Sequence, residues 1–338
     1  MLIVMDPSAA EEDVVKVEEA IAALGLESHR IPGGLRTAVA IIGNVDPIPK
    51  EVFEGLPRVA EIIAVTRPYK LVSREAKTAD TVVEVKGEQI GGSRFGFIAG
   101  PCAVENREQM MKTAEGVKAA GATFLRGGAV KPRTSPYTFQ GLGEEGYRLL
   151  AEAGAEYGLI TVSEVVDAET AAMARDHIDI VQVGSRNMQS FSLLKIVGGM
   201  KQPVLLKRAA SATLKEFLMA AEYVLAAGNP NVILCERGIR TFSDFQRNTF
   251  DVSVIPEIKK RCHLPIIGDP SHAAGKRAMI KPLARAALAA GADGIMVEMH
   301  FNPRQALSDG CQSLYPQELK DLFDELKRLA PFFDKKVD

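Results

Sequence analysis

The sequence predicts an α/β fold, a (β/α)8 TIM barrel, preceded by a small α+β domain of ferredoxin-like βαββαβ order. Three observations carry that reading. From Phe95 onward, eight short β-branched runs alternate with amphipathic stretches. Their span suits the roughly 250 residues that such barrels usually take. The segment before them has a different order of strand-like and helical patterns. No Gly-x-Gly-x-x-Gly fingerprint follows the first run, which argues against a doubly wound open sheet.

In the first domain, Leu2-Ile3-Val4-Met5 reads as a strand, and residues 8–24 as an amphipathic helix with acids at its start and Gly25 beyond its end. Residues 27–31 and 37–42 read as strands on either side of Pro32-Gly33-Gly34. Residues 49–56 follow as a helix and 59–65 as a last strand. Residues 67–94 form a connector, in which Thr81-Val82-Val83-Glu84-Val85 and the turn at Lys86-Gly87 predict a β-hairpin placed to cover the bottom of the barrel. Barrel strands are expected at 95–99, 122–126, 159–163, 178–183, 204–207, 232–235, 265–268 and 294–297. Between them lie helical segments such as 107–120, 146–157, 168–175, 213–227 and 280–290. The expected domains are therefore 1–66, 67–94 and 95–338.

A net charge of −2 gives no global pull toward nucleic acid or an acidic membrane, so Arg and Lys clusters must be read locally. The first residues carry no basic leader or long apolar core, and no apolar run is long enough to span a bilayer; the expectation is a cytoplasmic protein. Cys102, Cys235, Cys262 and Cys311 are too sparse for a disulfide scaffold.

Four residues carry the first chemical signal: Cys102 in Ala-Gly-Pro-Cys, His272 in Asp-Pro-Ser-His, Glu298 in Met-Val-Glu-Met-His and Asp309 in Leu-Ser-Asp-Gly. Singly each has a structural explanation, as a small buried side chain, a cap or a turn residue. Three of them stand at or just after an expected barrel strand, and strand ends converge on one face of such a barrel. Together, sulfur, imidazole and two carboxylates suit one divalent metal, with Mn²⁺, Fe²⁺, Co²⁺, Zn²⁺ and Cu²⁺ all compatible and a Lewis-acid role expected.

The second signal is cationic. The stretch from Phe124 to Ser135 holds Arg126, Lys131 and Arg133 with Thr134 and Ser135, paired glycines that admit a ligand, and no acid. Lys207 follows Pro203-Val204-Leu205-Leu206, and Arg186 and Arg237 are placed similarly; the plain alternative is an ion pair with a strand-end acid such as Glu164 or Glu236. So many cations around one metal imply an anionic substrate bearing two phosphates and a carboxylate.

These residues give the chain a close resemblance to the 3-deoxy-7-phosphoheptulonate (DAHP) synthase family, in its bacterial form with an N-terminal ferredoxin-like regulatory domain. The resemblance is carried by Ala99-Gly100-Pro101-Cys102, Leu125-Arg126-Gly127-Gly128, Lys131-Pro132-Arg133-Thr134-Ser135-Pro136, Glu236-Arg237-Gly238, Asp269-Pro270-Ser271-His272 and Leu307-Ser308-Asp309-Gly310, and covers essentially the whole chain. It implies a transferase of the shikimate pathway to aromatic amino acids, condensing phosphoenolpyruvate with erythrose 4-phosphate and water. It further implies that Cys102, His272, Glu298 and Asp309 hold the metal, with Mn²⁺ expected. Arg126, Lys131, Arg186, Lys207 and Arg237 would bind phosphoenolpyruvate; Arg133, Thr134 and Ser135 would take the erythrose 4-phosphate phosphate. Lys131, Cys102 and His272 are the catalytic residues it points to. Glu164 and a metal-bound water both stand as candidates to activate the attacking water. A homotetramer is the implied assembly.

The sister family of 3-deoxyoctulosonate 8-phosphate synthases, which use arabinose 5-phosphate, is the alternative. Its loop typically begins Lys-Ala-Asn-Arg-Ser, whereas this chain has Lys131-Pro132-Arg133-Thr134-Ser135 and an extra N-terminal domain. A Schiff-base aldolase using Lys207 or Lys131 is a mechanistically different rival. Cys311, two residues beyond Asp309, suggests a disulfide with Cys102 in an emptied site. Regulation by an aromatic amino acid is expected from residues 1–66. Tyrosine-sensitive relatives carry His-x-Ser on the second strand, where this chain has His29-Arg30-Ile31, so the hydroxyl donor for tyrosine is missing. Deleting residues 1–66 is expected to leave activity intact and abolish inhibition; inhibition that survives the deletion would refute the assignment.

Overall fold

The computed structural model describes residues 1–33, 36–42, 48–63, 68–133 and 135–337. Two compact units emerge, one of residues 1–79 with 261–263 and the other of 80–260 with 264–338. The boundary expected at residue 66 falls within 64–67, outside the described residues.

The first unit contains β1 (Leu2–Met5), α1 (Glu11–Ala23), β2 (Glu27–Pro32), β3 (Thr37–Ile42), α2 (Glu51–Glu54) and β4 (Val59–Ile63). The sheet is antiparallel in the order β2-β3-β1-β4, the ferredoxin-like arrangement. Alternation along β1 and β3 turns Ile3, Met5, Val39 and Ile41 toward Val14, Val17 and Ile21 of α1 and Phe53 of α2, and these form one core. The helix expected at 49–56 contracts to four residues. Gly55 and Pro57 follow it directly, and neither favours another turn.

The second unit begins with the predicted hairpin, β5 (Val83–Val85) paired antiparallel with β6 (Glu88–Ile90). The barrel follows as β7 (Gly96–Gly100), α3 (Arg107–Ala119), β8 (Phe124–Arg126), α4 (Glu144–Tyr157), β9 (Ile160–Val165), α5 (Ala168–Ala174), β10 (Ile180–Val183), α6 (Phe191–Gly198), β11 (Val204–Lys207), α7 (Leu214–Ala226), β12 (Val232–Glu236), α8 (Val254–Arg261), β13 (Ile266–Gly268), α9 (Pro270–Ala274), α10 (Arg277–Ala289), β14 (Gly294–Glu298) and α11 (Pro316–Leu329). Strands β7 to β14 run parallel, and β14 pairs with β7 to close the ring.

Helix starts follow local chemistry. Asn106, Asp167 and Thr213 cap α3, α5 and α7 by accepting from backbone N–H groups three residues on. Inside the ring, Ile98, Phe124, Ile160, Ile180, Leu205, Ile233, Ile267 and Met296 meet Val83 and Ile90 of the hairpin. The hairpin thus plugs the N-terminal end of the barrel with apolar side chains and leaves the C-terminal end open.

Gly100 ends β7 with φ +150°, and a Cβ there would stand 1.9 Å from the Arg126 carbonyl oxygen of the neighbouring strand. Gly199 has φ −85° and 3.5 Å of clearance. We expect Gly100→Ala to cost on the order of 3 kcal/mol or more in urea melts, and Gly199→Ala less than about 1 kcal/mol. Equal costs would remove this account of the β7 end.

Candidate active site

Inward-facing side chains recur every second residue along a strand. Two positions beyond the apolar plug, the same strands therefore present their next inward residues to the open end. Phe124 leads to Arg126, Val162 to Glu164, Ile180 to Gln182, Leu205 to Lys207, Cys235 to Arg237, Ile267 to Asp269 and Met296 to Glu298. One period-2 pattern thus lays a charged layer directly on an apolar one.

The charged layer is organised as a chain of alternating sign. Lys207 Nζ donates to Asp269 Oδ2, which also faces His272 Nδ1 at 2.7 Å. On its other side, His272 Nε2 lies 3.1 Å from Glu298 Oε1, which accepts from Arg126 Nη1 at 2.8 Å. Asp269 also caps α9 by accepting from the backbone N–H of His272 at 3.0 Å, so one carboxylate aims the ring and starts the helix. Burial alone would weaken every charge in this row. It would depress His272, but the Asp269 and Glu298 carboxylates outweigh it and push the ring up to about 9. Burial would raise Asp269 and Glu298, yet His272, with Lys207 or Arg126, holds both well below the usual carboxylate range. Arg126, enclosed on all sides, is kept charged by Glu298.

Beside this chain, Cys102 Sγ, Glu298 and Asp309 place ligand atoms within 4.8 Å of one another. Ligands about 2.0–2.3 Å from a single ion stand roughly 3–4.6 Å apart, so the spacing fits a shared cation. His272 adjoins the cluster through Glu298. Cys102 Sγ donates to Asp309 Oδ2 at 3.2 Å and lies 3.0 Å from Ser308 Oγ. Lys131 Nζ donates to the Cys102 carbonyl at 2.8 Å and to its sulfur at 3.1 Å. Gln312 Nε2 donates to Glu298 Oε2 at 2.6 Å.

Above lies a pocket of about 520 Å³, lined by Arg126, Lys131, Arg133, Arg186, Lys207 and Arg237 together with His272 and Asp309. The alternative of local ion pairs does not hold for Arg186 or Arg237. Arg186 donates to the Pro132 carbonyl at 2.7 Å, and Glu236 pairs instead with Arg208 at 3.0 Å. Arg237 is buried, which pulls its basicity down against the opposing Asp269 carboxylate, and its guanidinium makes no ion pair among the described residues. A desolvated, unpaired cation facing a cavity is an anion site in waiting. Arg133 is held by the Phe139 carbonyl and by Ser308 Oγ. Ser135 lies outside the pocket lining, its hydroxyl accepting from Tyr137 N at 3.4 Å, and Thr134 lies outside the described residues.

Glu164 also lines the pocket, with its carboxylate accepting from Gln182 Nε2 at 3.0 Å. A Cβ at Gly184 would stand 2.1 Å from Glu164 Oε1, so that glycine makes the room the acid occupies. Sequence reasoning gave no role to Asp269, Ser308, Gln312, Arg240 or Arg247. Asp269 and Ser308 sat inside quoted motifs, and the Asp-Pro start of a helix was the signal for the former. Arg247 reaches Asp309 Oδ1 at 3.7 Å from a loop without a distinguishing pattern. Cys102 is a buried free thiol and Cys311 an exposed one. In the other unit, His29 sits half-buried on β2, where burial lowers its basicity.

Residues 77–331 match the DAHP synthetase I family, and residues 1–67 match the DAHP synthase ferredoxin-like domain. The chain is 47% identical over 337 residues to the phospho-2-dehydro-3-deoxyheptonate aldolase of Thermotoga maritima, covering 100% of both chains. It is 32% identical over 261 residues to the 2-dehydro-3-deoxyphosphooctonate aldolase of Syntrophobacter fumaroxidans, covering 72% of this chain and 90% of that one. Its fold is similar to the crystal structure of the T. maritima phospho-2-dehydro-3-deoxyheptonate aldolase (DAHP synthase), with TM-score 0.80, 46% identity and coverage of 100% and 99%. A truncated form of 3-deoxy-D-arabino-heptulosonate 7-phosphate synthase from the same organism gives TM-score 0.75 at 46% identity, covering 80% of this chain and 99% of that one.

The alternating chain has a pH signature in metal-free protein. His272 is raised to about 9, so its contribution is complete below the unfolded value of roughly 6.5 and is lost as pH climbs to 9. Asp269 and Glu298 are lowered, so theirs is present above about 4 and lost in acid. Unfolding free energies from urea melts in chelator are expected to peak between those limits, falling on the alkaline side by up to about 1.4 kcal/mol per pH unit. His272→Gln should flatten the alkaline limb; an unchanged limb would dissociate it from His272.

Proposed function

The chain belongs to the DAHP synthetase I family, and from that premise we propose how its pocket condenses phosphoenolpyruvate with erythrose 4-phosphate and water to 3-deoxy-7-phosphoheptulonate and phosphate, the first step of the shikimate pathway. The observation that carries the reading is the pocket lining. Among the described residues, eight Arg and Lys side chains face two acids there, beside the sulfur and carboxylate cluster.

Phosphoenolpyruvate is assigned to Arg126, Lys131, Arg186, Lys207 and Arg237, where three buried cations and two more accessible ones match its carboxylate and phosphate. The erythrose 4-phosphate phosphate is assigned to Arg133, and the family resemblance adds Thr134 and Ser135 to that assignment. This arrangement sets the enol carbon 3 against the aldehyde carbon and removes much of the entropic cost of meeting. The divalent ion that Cys102, His272, Glu298 and Asp309 would hold, Mn²⁺ in this reading, supplies Lewis-acid polarisation of the aldehyde. As the carbon–carbon bond forms, Lys131 delivers a proton to the aldehyde oxygen. Glu164 takes a proton from the water that adds at carbon 2. The carbon 2–oxygen bond to phosphate then breaks as the new hydroxyl at carbon 2 becomes a carbonyl and passes its proton to the leaving phosphate, whose charge Arg186 and Arg237 neutralise.

Residues 1–66 are assigned a regulatory role with an aromatic amino acid as effector near His29, residues 67–94 a connecting role, and 95–338 the chemistry. A homotetramer in the cytoplasm completes the reading; among the described residues no helix is long and apolar enough to cross a membrane.

Phosphoenolpyruvate consumption should require erythrose 4-phosphate, cease with chelator and return with Mn²⁺, and Glu164→Gln should lower kcat by about 10²–10⁴ with little change in KM. Faster turnover of arabinose 5-phosphate would reassign the substrate. Activity that persists in chelator, with borohydride trapping of substrate on a lysine, would replace the mechanism.

A further inference from the structure

We propose that Glu105 is a positioning residue that fastens the Asp309 side of the cation site to the Cys102 side; this rests on the cation-site reading above. Glu105 lies three residues after Cys102 on the same loop, and its side chain is only 6% exposed. Its Oε1 accepts from the backbone N–H of Leu307 at 2.8 Å. Its Oε2 faces His300 Nε2 at 3.6 Å. His300 stands two residues beyond Glu298 and is 2% exposed. Its Nδ1 accepts from Asn302 N at 2.9 Å, so the ring hydrogen sits on Nε2, a buried atom with no hydrogen-bond partner among the described residues. The Glu105 carboxylate is therefore the group that Nε2 faces.

The consequence falls on the next two residues. The Leu307 side chain is 57% exposed and gives its segment little packing, so the peptide hydrogen bond to Glu105 is what ties it down. Ser308 and Asp309 follow directly, and both meet the Cys102 sulfur. Asp309 has φ +53°, a conformation unfavourable for a residue with a side chain unless its surroundings enforce it. Beyond it, Arg277 grips the carbonyls of Gly310 and Ser313 at 3.0 and 2.6 Å. The backbone on either side of Asp309 is thus anchored by Arg277 and by Glu105, while Arg133 and Arg247 reach the side chains of Ser308 and Asp309. Only Glu105 belongs to the loop that carries Cys102.

The test uses the full chain and Co²⁺, with affinity read by chelator competition and geometry by the thiolate-to-cobalt charge-transfer band. Glu105→Gln keeps a carbonyl acceptor for Leu307 and should bind within about threefold of wild type with the band unchanged. Glu105→Met keeps the bulk without an acceptor, and Glu105→Ala removes both. Each should bind about 10–100-fold more weakly with the band shifted or lost. Having two apolar variants of different size separates a packing defect from loss of the anchor. Wild-type affinity and an unchanged band in either apolar variant overturn the proposal while leaving the cation site standing. A wild-type chain that takes no Co²⁺ through sulfur overturns the cation-site reading and the proposal with it.

Discussion

The open end of the barrel depends on one row of alternating charges, Lys207, Asp269, His272, Glu298 and Arg126, all withdrawn from water. None of these groups is tolerable there alone, since burying an isolated charge costs several kcal/mol after relaxation. Each is held by a neighbour of opposite sign, so removing an interior member leaves the groups on both sides short of a partner. The row also crosses the barrel, tying β11, β13, α9, β14 and β8 together through side chains. Rigidity of the pocket floor and the poise of its charges therefore share one cause.

That row rests on a second constraint, the apolar layer two residues earlier on the same strands. Hairpin residues Val83 and Ile90 complete this layer from below and exclude water from the lower barrel. Water excluded below and carboxylates paired above leave the cations of the upper wall as the groups with unspent capacity. Arg237 is the clearest case, because its neighbouring acid Glu236 is already engaged by Arg208 and by the Gly238 N–H at 2.6 Å. Arg208 also binds Asp251 at 2.8 Å, fastening the end of the loop that carries Arg240 and Arg247. An acid-rich network outside the pocket thus keeps the pocket itself cationic.

The chain belongs to the DAHP synthetase I family, and its relatives differ in how much of it they match. The octulosonate aldolase match covers 72% of this chain, whereas the heptonate aldolase match covers it all.

The sequence by itself determined the barrel, the ferredoxin-like order and the hairpin, because each has a periodicity and punctuation that local residues impose. It also marked Cys102, His272, Glu298, Lys207 and Arg237, since strand ends are legible and charged residues directly after apolar runs stand out. Boundaries erred where a short element lacked turns of its own, as at Glu51–Glu54. What only the tertiary structure decided is pairing. Asp269 was given no role of its own and proves to join His272 to Lys207, which lies 62 positions before Asp269 in the chain. Arg247 reaches the site from a loop without pattern, Ser308 meets the Cys102 sulfur from 206 residues away, and Glu105 meets Leu307 from 202 residues away. Periodicity reports which face a residue occupies, but which charge meets which across the ring follows from closure of the barrel, and no local stretch of sequence contains that closure.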